Sequence, residues 1–332
     1  MPYKYRIRIG YACLNTKLRE QNIFCSRTCR LATVREKGMN YAKELARLNL
    51  IDLLTILKWN EEHGIRFFRI SSDIFPHITN PRLIPIGKRG NPKNLAYSLD
   101  EFIPMLSRIG RYARKYKHRL TFHPDQFVIL GGSDSIRLNS VRTLWQHAII
   151  CDIIGLDLNS ILIIHGGGTY GEIEVASQKW IDAFDALPIE IKRRLVVEND
   201  ERSYAVSDVM ALSSRVRPYM SWHTDDTRFK IPIVLDIFHY KCYETRYPGV
   251  QPRLEAVLPD ILDSWHGRMI KMHISEQRPD SHVGAHSLYI KTIPKILLDF
   301  PKTYGTNLDL MVEAKAKELA LVVLLKKYPI CI

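Results

Sequence analysis

The sequence contains few cysteines, and their spacing excludes the common cysteine-based architectures. Six cysteines among 332 residues are too sparse for a disulfide scaffold, and no paired CxxC clusters are present for structural zinc. Most of them are expected to be thiols of the core. Cys25 and Cys29 stand close together in the chain, so a disulfide or a metal-binding role for this pair stays open.

Long apolar runs are also missing. The longest run near the C-terminus, 319–325, is far shorter than the roughly 20 residues that a membrane-spanning helix needs. The N-terminal residues alternate basic and apolar side chains and lack the apolar core of a secretory signal. We therefore expect no membrane partner and a cytoplasmic protein.

Acidic residues are outnumbered by basic ones. The chain has 35 Asp and Glu against 48 Lys and Arg, which leaves a formal net charge of +13. Such an excess attracts polyanions and favours nucleic acid as the partner, with a merely solvated basic surface as the alternative. No segment has the biased composition of disorder. We expect one ordered domain over 1–332, a length that a single α/β barrel reaches.

Short β-branched runs alternate with longer segments of helical period. The predicted strands are 6–13, 67–72, 119–123, 160–165, 195–198, 233–237, 269–274 and 308–313. After the first run, Leu45, Leu48, Ile51, Leu54 and Leu57 step by three and predict one apolar stripe along a helix. Eight strands that alternate with helices close a barrel, whereas open doubly wound sheets more often stop at five or six. The pattern therefore predicts an α/β fold, a (β/α)₈ TIM barrel in a single domain.

Six successive predicted strands end in a residue type that binds metal ions. They are His123, His165, Glu198, Asp236, His273 and Glu313. One such residue alone is more typical of a helix cap or a paired polar group of the core. In a closed barrel, however, the carboxyl ends of all strands meet at one face. Crowded carboxylates and imidazoles need a compensating cation there, and His239 and His286, just beyond strands, are further candidate ligands.

The ligand types restrict the metal and the chemistry. Imidazoles and carboxylates without thiolate suit Mn²⁺, Zn²⁺ or Fe²⁺, and several carboxylates favour more than one ion. A cluster of this kind lowers the pKa of a bound water and neutralises charge on a phosphodiester. The pattern predicts metal-assisted hydrolysis.

Two connections and one glycine motif add to this description. The segment 74–94 is rich in proline, glycine and basic residues and is suited either to phosphate contact or to a solvated surface excursion. The segment 217–230 has the character of an insertion. Gly166, Gly168 and Gly171 match G-x-G-x-x-G, but the acidic residue of a dinucleotide fingerprint belongs about 20 residues later. Glu198 comes later than that, so no nucleotide cofactor is expected, and the glycines are expected to let the backbone approach a ligand.

The ordered motifs resemble those of the UV damage endonuclease family. They are RIGYACLNT, FRISSDIFPH, FHPDQF, IIHGGG, VVEND, VLDIFHY, KMHIS and VEAK, from about Arg6 to Lys317. The resemblance implies a barrel related to endonuclease IV that nicks damaged double-stranded DNA on the 5′ side of UV photoproducts, cyclobutane dimers and 6-4 photoproducts. It also implies a manganese-type cluster, and abasic sites are expected as secondary substrates because they too weaken the duplex.

The resemblance further implies a role for individual residues. One ion would be held by His123, His165 and Glu198, with Glu198 bridging to a second ion held by Asp236, His273 and Glu313, and His239 and His286 would hold a third. Glu198, Lys271 and His77 would be catalytic, with His77 at the phosphate. Lys271 would carry a carboxyl group, since an unmodified lysine would be repelled by divalent ions unless its pKa fell far enough to leave it neutral.

Lesion contacts are implied for Tyr11, Asn15, Gln126 and Phe127. A ring and an amide at the rim would wedge into a distorted duplex, with packing at the barrel end as the alternative for the two aromatic residues. Some family members carry Tyr where this chain has Phe127, a change that keeps the stacking face and removes a hydroxyl.

Two other functions stay open at this point. A divalent-metal sugar isomerase or epimerase on a similar barrel would use comparable ligands, although a neutral sugar does not need a basic protein. A non-catalytic module that binds damage around a structural metal would more often use closed four-coordinate Cys and His cages. We expect a monomer that binds damaged DNA.

Overall fold

The computed structural model describes residues 4–169, 171–219 and 230–332. Within these residues eight parallel strands form one closed barrel in sequential order. The strands are β1 Ile7–Ala12, β2 Phe67–Ile70, β3 Arg119–Phe122, β4 Leu162–His165, β5 Leu195–Glu198, β6 Ile233–Asp236, β7 Lys271–Ile274 and β8 Leu308–Val312. The predicted TIM barrel and all eight predicted strands are confirmed, with the observed strands slightly shorter at several ends.

Helices surround the barrel and fill the connections between strands. They are α1 Thr16–Glu20, α2 Leu31–Lys37, α3 Met39–Glu62, α4 Ile103–Lys115, α5 Asp134–Ile154, α6 Ile173–Asp185, α7 Ile189–Lys192, α8 Val206–Arg215, α9 Ile237–Arg246, α10 Leu254–Asp263, α11 Lys295–Tyr304 and α12 Glu318–Lys327. No helix in the described part of the chain is long and apolar enough to cross a bilayer.

The apolar stripe predicted for α3 is partly wrong. Leu54 and Leu57 are buried, but Leu48 and Ile51 are exposed, and the helix buries Leu50 and Leu53 together with smaller residues instead. The physical reason is the helical period of 3.6 residues, because a strict spacing of three rotates steadily around the helix and away from the core.

The connection 74–94 begins in the core, where Ile74, Phe75 and Ile78 are buried, and reaches solvent at Ile86. It contains the 3-10 turns Pro81–Leu83 and Ile86–Lys88. Tyr97 donates a hydrogen bond of 2.8 Å to the Pro76 carbonyl, and Arg142 of α5 donates one of 3.1 Å to the Asn94 carbonyl. The connection is therefore held at both ends. The other long connection, 217–230, lies mostly outside the described residues.

The cysteines form no cross-links. All six, including Cys25 and Cys29, are free thiols. Cys25 is buried and its thiol donates to the Cys13 carbonyl at 3.3 Å. The disulfide left open for Cys25 and Cys29 is not formed, and the expectation of core thiols holds for most of the six.

Candidate metal centre

The six predicted ligands converge at the carboxyl end of the barrel. Two groups have ligand atoms that all lie within 4.8 Å of one another: His123 with His165 and Glu198, and Glu198 with Asp236 and His273. The positions follow from the topology, because each residue lies within one position of the last residue of its strand. Glu198 is common to both groups.

Glu198 connects the two groups through its two oxygens. Its Oε2 lies 2.9 Å from Nε2 of His123 and 3.9 Å from Nε2 of His165. Its Oε1 accepts a hydrogen bond of 2.7 Å from Nδ1 of His273. The side chain is almost fully buried. A carboxylate placed in this way is suited to bridge two cations.

Asp236 of the second group and Glu313, which lies beside that group, both approach the ring of His273. Nδ1 of His273 lies 3.5 Å from Oε1 of Glu313 and 3.9 Å from Oδ2 of Asp236. Asp236 also caps α9, because its Oδ1 accepts from the backbone N–H groups of Phe238 and His239 at 2.6 and 2.9 Å. The helix-cap alternative therefore applies to one oxygen of Asp236 and leaves the other facing the site.

Several buried polar atoms of the site lack a hydrogen-bond partner among the described residues. They are Oδ2 of Asp236, Nε2 of His273 and Nδ1 of His165. Leaving such atoms unpaired costs about 1–3 kcal/mol each, and buried native groups are almost always satisfied. Carboxylate and imidazole donors without thiolate suit a hard or borderline divalent cation. The residues present therefore fit a divalent metal centre.

His239 and His286 lie beside the two groups at the cavity wall. Each directs Nδ1 at a backbone carbonyl, of Asn199 at 3.0 Å and of Glu313 at 2.9 Å. Such a contact is typical of metal-binding histidines because it fixes the ring and leaves Nε2 for the ion. The two rings are perpendicular with centroids 6.4 Å apart. Glu201, which sequence reasoning missed, places Oε2 4.0 Å from Nε2 of His239.

The buried carboxylates generate a strongly negative local field. Burial alone would raise the pKa of Glu198, but His273 and His165 hold that pKa well below its usual range. Burial lowers the pKa of His239, yet Asp236 and Glu198 outweigh it and raise this pKa to about 10. Because the field favours cations, a divalent ion at this position would replace protons on the imidazoles.

Lys271 lies fully buried beneath this cluster. Its Nζ donates to Oγ1 of Thr121 at 3.2 Å and lies 5.3 Å from the ring centroid of Phe67. Burial, followed by the charges of Arg69 and Arg119, moves the pKa of Lys271 well below its usual range. The shift favours the neutral form of the amine.

A cavity of about 620 Å³ opens above the ligands. Gln126 and Phe127 line it, and the Phe127 side chain is 71% exposed. Gly167 and Gly168 form part of its wall, with Gly167 at φ +90°. Gly166 faces inward instead, since an added Cβ would lie 2.4 Å from the Tyr204 ring. Only part of the glycine run thus serves the cavity.

Three residues with implied roles lie away from the cavity. The Tyr11 hydroxyl donates to Oδ1 of Asn60 at 2.6 Å and accepts from Nδ2 of Asn15 at 3.1 Å, and Tyr11 and Asn15 are fully buried. His77 has φ +60° and bonds the Cys29 carbonyl at 2.7 Å. It lines a neighbouring cavity of about 330 Å³. Their roles stay predictions, and the burial of Tyr11 favours the packing alternative that was left open for that residue.

Arg69 of β2 and Arg202 also line the main cavity, and sequence reasoning did not select them. Arg69 forms an ion pair with Oε1 of Glu313. A signal was present, since a charged residue within an otherwise apolar strand, as in FFRI, needs a buried partner.

Comparisons with known proteins identify the family to which the chain belongs. The model of the family described as UV-endonuclease UvdE matches residues 7–330. A protein of Acanthamoeba polyphaga mimivirus, named as a candidate UV-damage endonuclease, is 39% identical over 97% of this chain and 91% of its own length. The UV-damage endonuclease of Schizosaccharomyces pombe is 33% identical over 98% of this chain and 51% of its own. The crystal structure of SacUVDE superposes with a TM-score of 0.76, at 25% identity over 97% of both chains.

Proposed function

This chain belongs to the UV-endonuclease UvdE family, and we propose that it is a metal-dependent DNA repair hydrolase that cuts the strand immediately 5′ of a UV photoproduct. The observation that carries the proposal is the buried Glu198, which is shared by two groups of metal-ligand residues. His123 and His165 of the first group line an open cavity. The proposal includes one barrel domain over 1–332 that acts as a monomer where DNA is found, in the cytoplasm or on a prokaryotic nucleoid.

The ligand set supports a cluster of two or three divalent ions, with Mn²⁺ proposed first and Zn²⁺ or Fe²⁺ as alternatives. His123 and His165 would hold one ion, Asp236, His273 and Glu313 a second, and His239 and His286 a third, with Glu198 bridging the first two. When bound, such a cluster supplies an activated water and neutralises charge on the phosphodiester.

Lys271 is proposed to carry a carboxyl group. A neutral amine attacks carbon dioxide to form a C–N bond and releases one proton, which leaves a carbamate anion on Nζ. Burial keeps the Lys271 pKa low, so the amine has the lone pair that this reaction needs. The resulting carbamate oxygens would face a site that attracts cations.

DNA recognition is proposed to use the rim of the cavity and the basic surface. Phe127 is exposed at the mouth beside Gln126, where a ring could enter the stack and an amide could bond a base edge. A photoproduct already weakens pairing and stacking, so opening the duplex there costs less than opening intact DNA. Abasic sites are proposed as secondary substrates for the same reason.

The test is strand cleavage of an end-labelled duplex that contains one cyclobutane dimer, with Mn²⁺ or with a chelator. We expect a nick directly 5′ of the dimer with Mn²⁺, and no nick with chelator or in an undamaged duplex of the same sequence. Binding without cleavage in any divalent metal would indicate a damage-binding module instead. Neither binding nor cleavage, together with turnover of a small sugar, would indicate an epimerase or isomerase.

A further inference from the structure

Arg69 is a cation inside the proposed catalytic cavity that has no assigned role. In the barrel register it lies between Ala12 of β1 and Thr121 of β3. Its side chain is mostly buried, with 15% exposed, and it lines the cavity together with His123 and Glu313. A position on a strand of the barrel wall holds the guanidinium more rigidly than a loop would.

The hydrogen bonds of Arg69 leave much of its capacity unused. Among the described residues its side chain has one acceptor, Oε1 of Glu313, and its Nε is buried without a partner. A guanidinium carries five N–H donors in a planar fork. Arg194 also leaves its Nε without a partner. This more deeply buried arginine, with 3% of its side chain exposed, nevertheless donates to four acceptors, the carbonyls of Asp157, Ser160 and Leu156 and the carboxylate of Asp152.

The position of Arg69 in the cavity indicates which chemical group its remaining N–H donors would bind. Arg69 touches the carboxylate of a proposed metal ligand and faces an open cavity on the face where the proposed cleavage occurs. Arginine forks match the geometry of phosphate oxygens, and two parallel N–H groups bind them with defined direction. As the phosphodiester is attacked, negative charge grows on its non-bridging oxygens, where a preorganised donor stabilises it most.

We propose that Arg69 is a catalytic residue that orients Glu313 with one nitrogen and binds a non-bridging oxygen of the scissile phosphate with its other donors. This role rests on the proposed function. The role is specific to the guanidinium, because a lysine at this position would supply charge but no fork.

The test uses single-turnover cleavage of the dimer duplex by the Mn²⁺-loaded enzyme. The variants are Arg69→Met and Arg69→Lys. Arg202 lines the same cavity with its side chain 66% exposed, and Arg202→Met and Arg202→Lys are the matched controls. We expect Arg69→Met to slow cleavage about 10²–10³-fold, with Arg69→Lys recovering little. The Arg202 variants should change the rate by less than about tenfold, through binding alone.

A second readout separates phosphate contact from support of the metal ligand. The scissile phosphate is replaced by each phosphorothioate diastereomer, and bound metal is counted by mass spectrometry. We expect one diastereomer to slow the wild type but to slow Arg69→Met no further, because the contact is already lost, while metal content and circular dichroism stay at wild-type values.

Three results would overturn the role. The first is a normal cleavage rate in Arg69→Met. The second is a phosphorothioate substitution that slows Arg69→Met by the same factor as it slows the wild type. The third is a loss of metal from Arg69→Met after which replacement of the metal restores the cleavage rate. The last would leave Arg69 as a support for Glu313 alone. A wild-type enzyme that fails to nick the dimer duplex would instead refute the proposed function, so the two failures are distinguishable within one experiment.

Discussion

Both ends of the barrel contain buried charged residues, but these are paired differently. β8 and the residue that follows it provide one carboxylate near each end, Asp309 at the amino end and Glu313 at the carboxyl end. Asp309, near the amino end, accepts from Nε of Arg8 at 2.8 Å and from Nη1 of Arg119 at 2.7 Å. Glu313, just beyond the carboxyl end, has Arg69 on one oxygen and lies within 3.9 Å of the imidazoles of His273 and His286.

This comparison distinguishes a buried carboxylate that only stabilises the fold from one that is a candidate metal ligand. Both oxygens of Asp309 are used by arginines, so nothing further is needed for that carboxylate to be buried. At the other end, atoms such as Oδ2 of Asp236 and Nε2 of His273 have no partner among the described residues. At the amino end Nη2 of Arg119 is also unpaired, but it is a donor and cannot bind a cation. Unpaired carboxylate and imidazole atoms, rather than burial or charge alone, therefore mark the candidate metal-binding face.

The largest effect should come from Glu198→Gln. The amide keeps the shape but removes the charge shared by both ligand groups, so we expect dimer cleavage to fall at least about 10³-fold, with some binding of damaged duplex retained. Glu318→Gln is the control, because Glu318 is equally buried but bonds the N-terminal turn of α1. Nicking by Glu198→Gln at the control's rate would refute the site assignment.

Asp309→Asn should have the opposite pattern, with a large effect on stability and none on chemistry. Two arginines would lose their buried counter-charge, which typically costs about 3–5 kcal/mol of unfolding free energy. Urea unfolding would measure this loss, and cleavage per folded molecule should match the wild type. If the rate fell while stability did not, the distinction between the two ends would be wrong.

The free energy of unfolding should depend on pH through His147, a buried imidazole that lies in neither of the two charged clusters. His147 of α5 packs on Phe122, with ring centroids 4.6 Å apart, and burial lowers its pKa to about 4. The folded state thus resists a proton that the unfolded chain accepts below about 6.5. Stability should therefore fall as pH drops from about 6.5 to 4, by up to about 3 kcal/mol. His147→Asn should show a shallower slope of unfolding free energy against pH, and an unchanged slope would contradict this origin.

Phe127→Ala is expected to have the smallest effect on stability and a moderate effect on the binding of damaged DNA. The exposed ring should contribute less than about 0.5 kcal/mol to stability. Binding of a dimer duplex should weaken by about 1–3 kcal/mol, the usual loss for one stacked base. Phe127→Tyr keeps the stacking face and should bind like the wild type in a fluorescence titration. Equal affinity of the alanine variant would remove Phe127 from the proposed contact.

Local patterns predicted the strands and most of the candidate ligands, because parallel strands and their final residues follow from short-range chemistry. His123, Glu198 and Glu313 were identifiable since each ends a β-branched run. The predicted apolar stripe of α3 was partly wrong because its residues were spaced by three, whereas one turn of an α-helix takes 3.6 residues. Arg69 was missed because its partner, Glu313, is 244 positions away, and no local pattern carries that pairing.

The sequence by itself determined the order of eight strands, the residue types at their ends and the positive net charge. Closure of the barrel alone decided which strand ends share a candidate cation site, since it brings Glu198 within 4.8 Å of ligand atoms from the ends of four other strands. The tertiary structure likewise decided that Tyr11 and Asn15 are buried while Phe127 is exposed. It also placed arginines on both oxygens of Asp309 but on one oxygen of Glu313. Distances between remote strands and the sharing of charge in a low dielectric are properties of the packed barrel, and the chain order does not contain them.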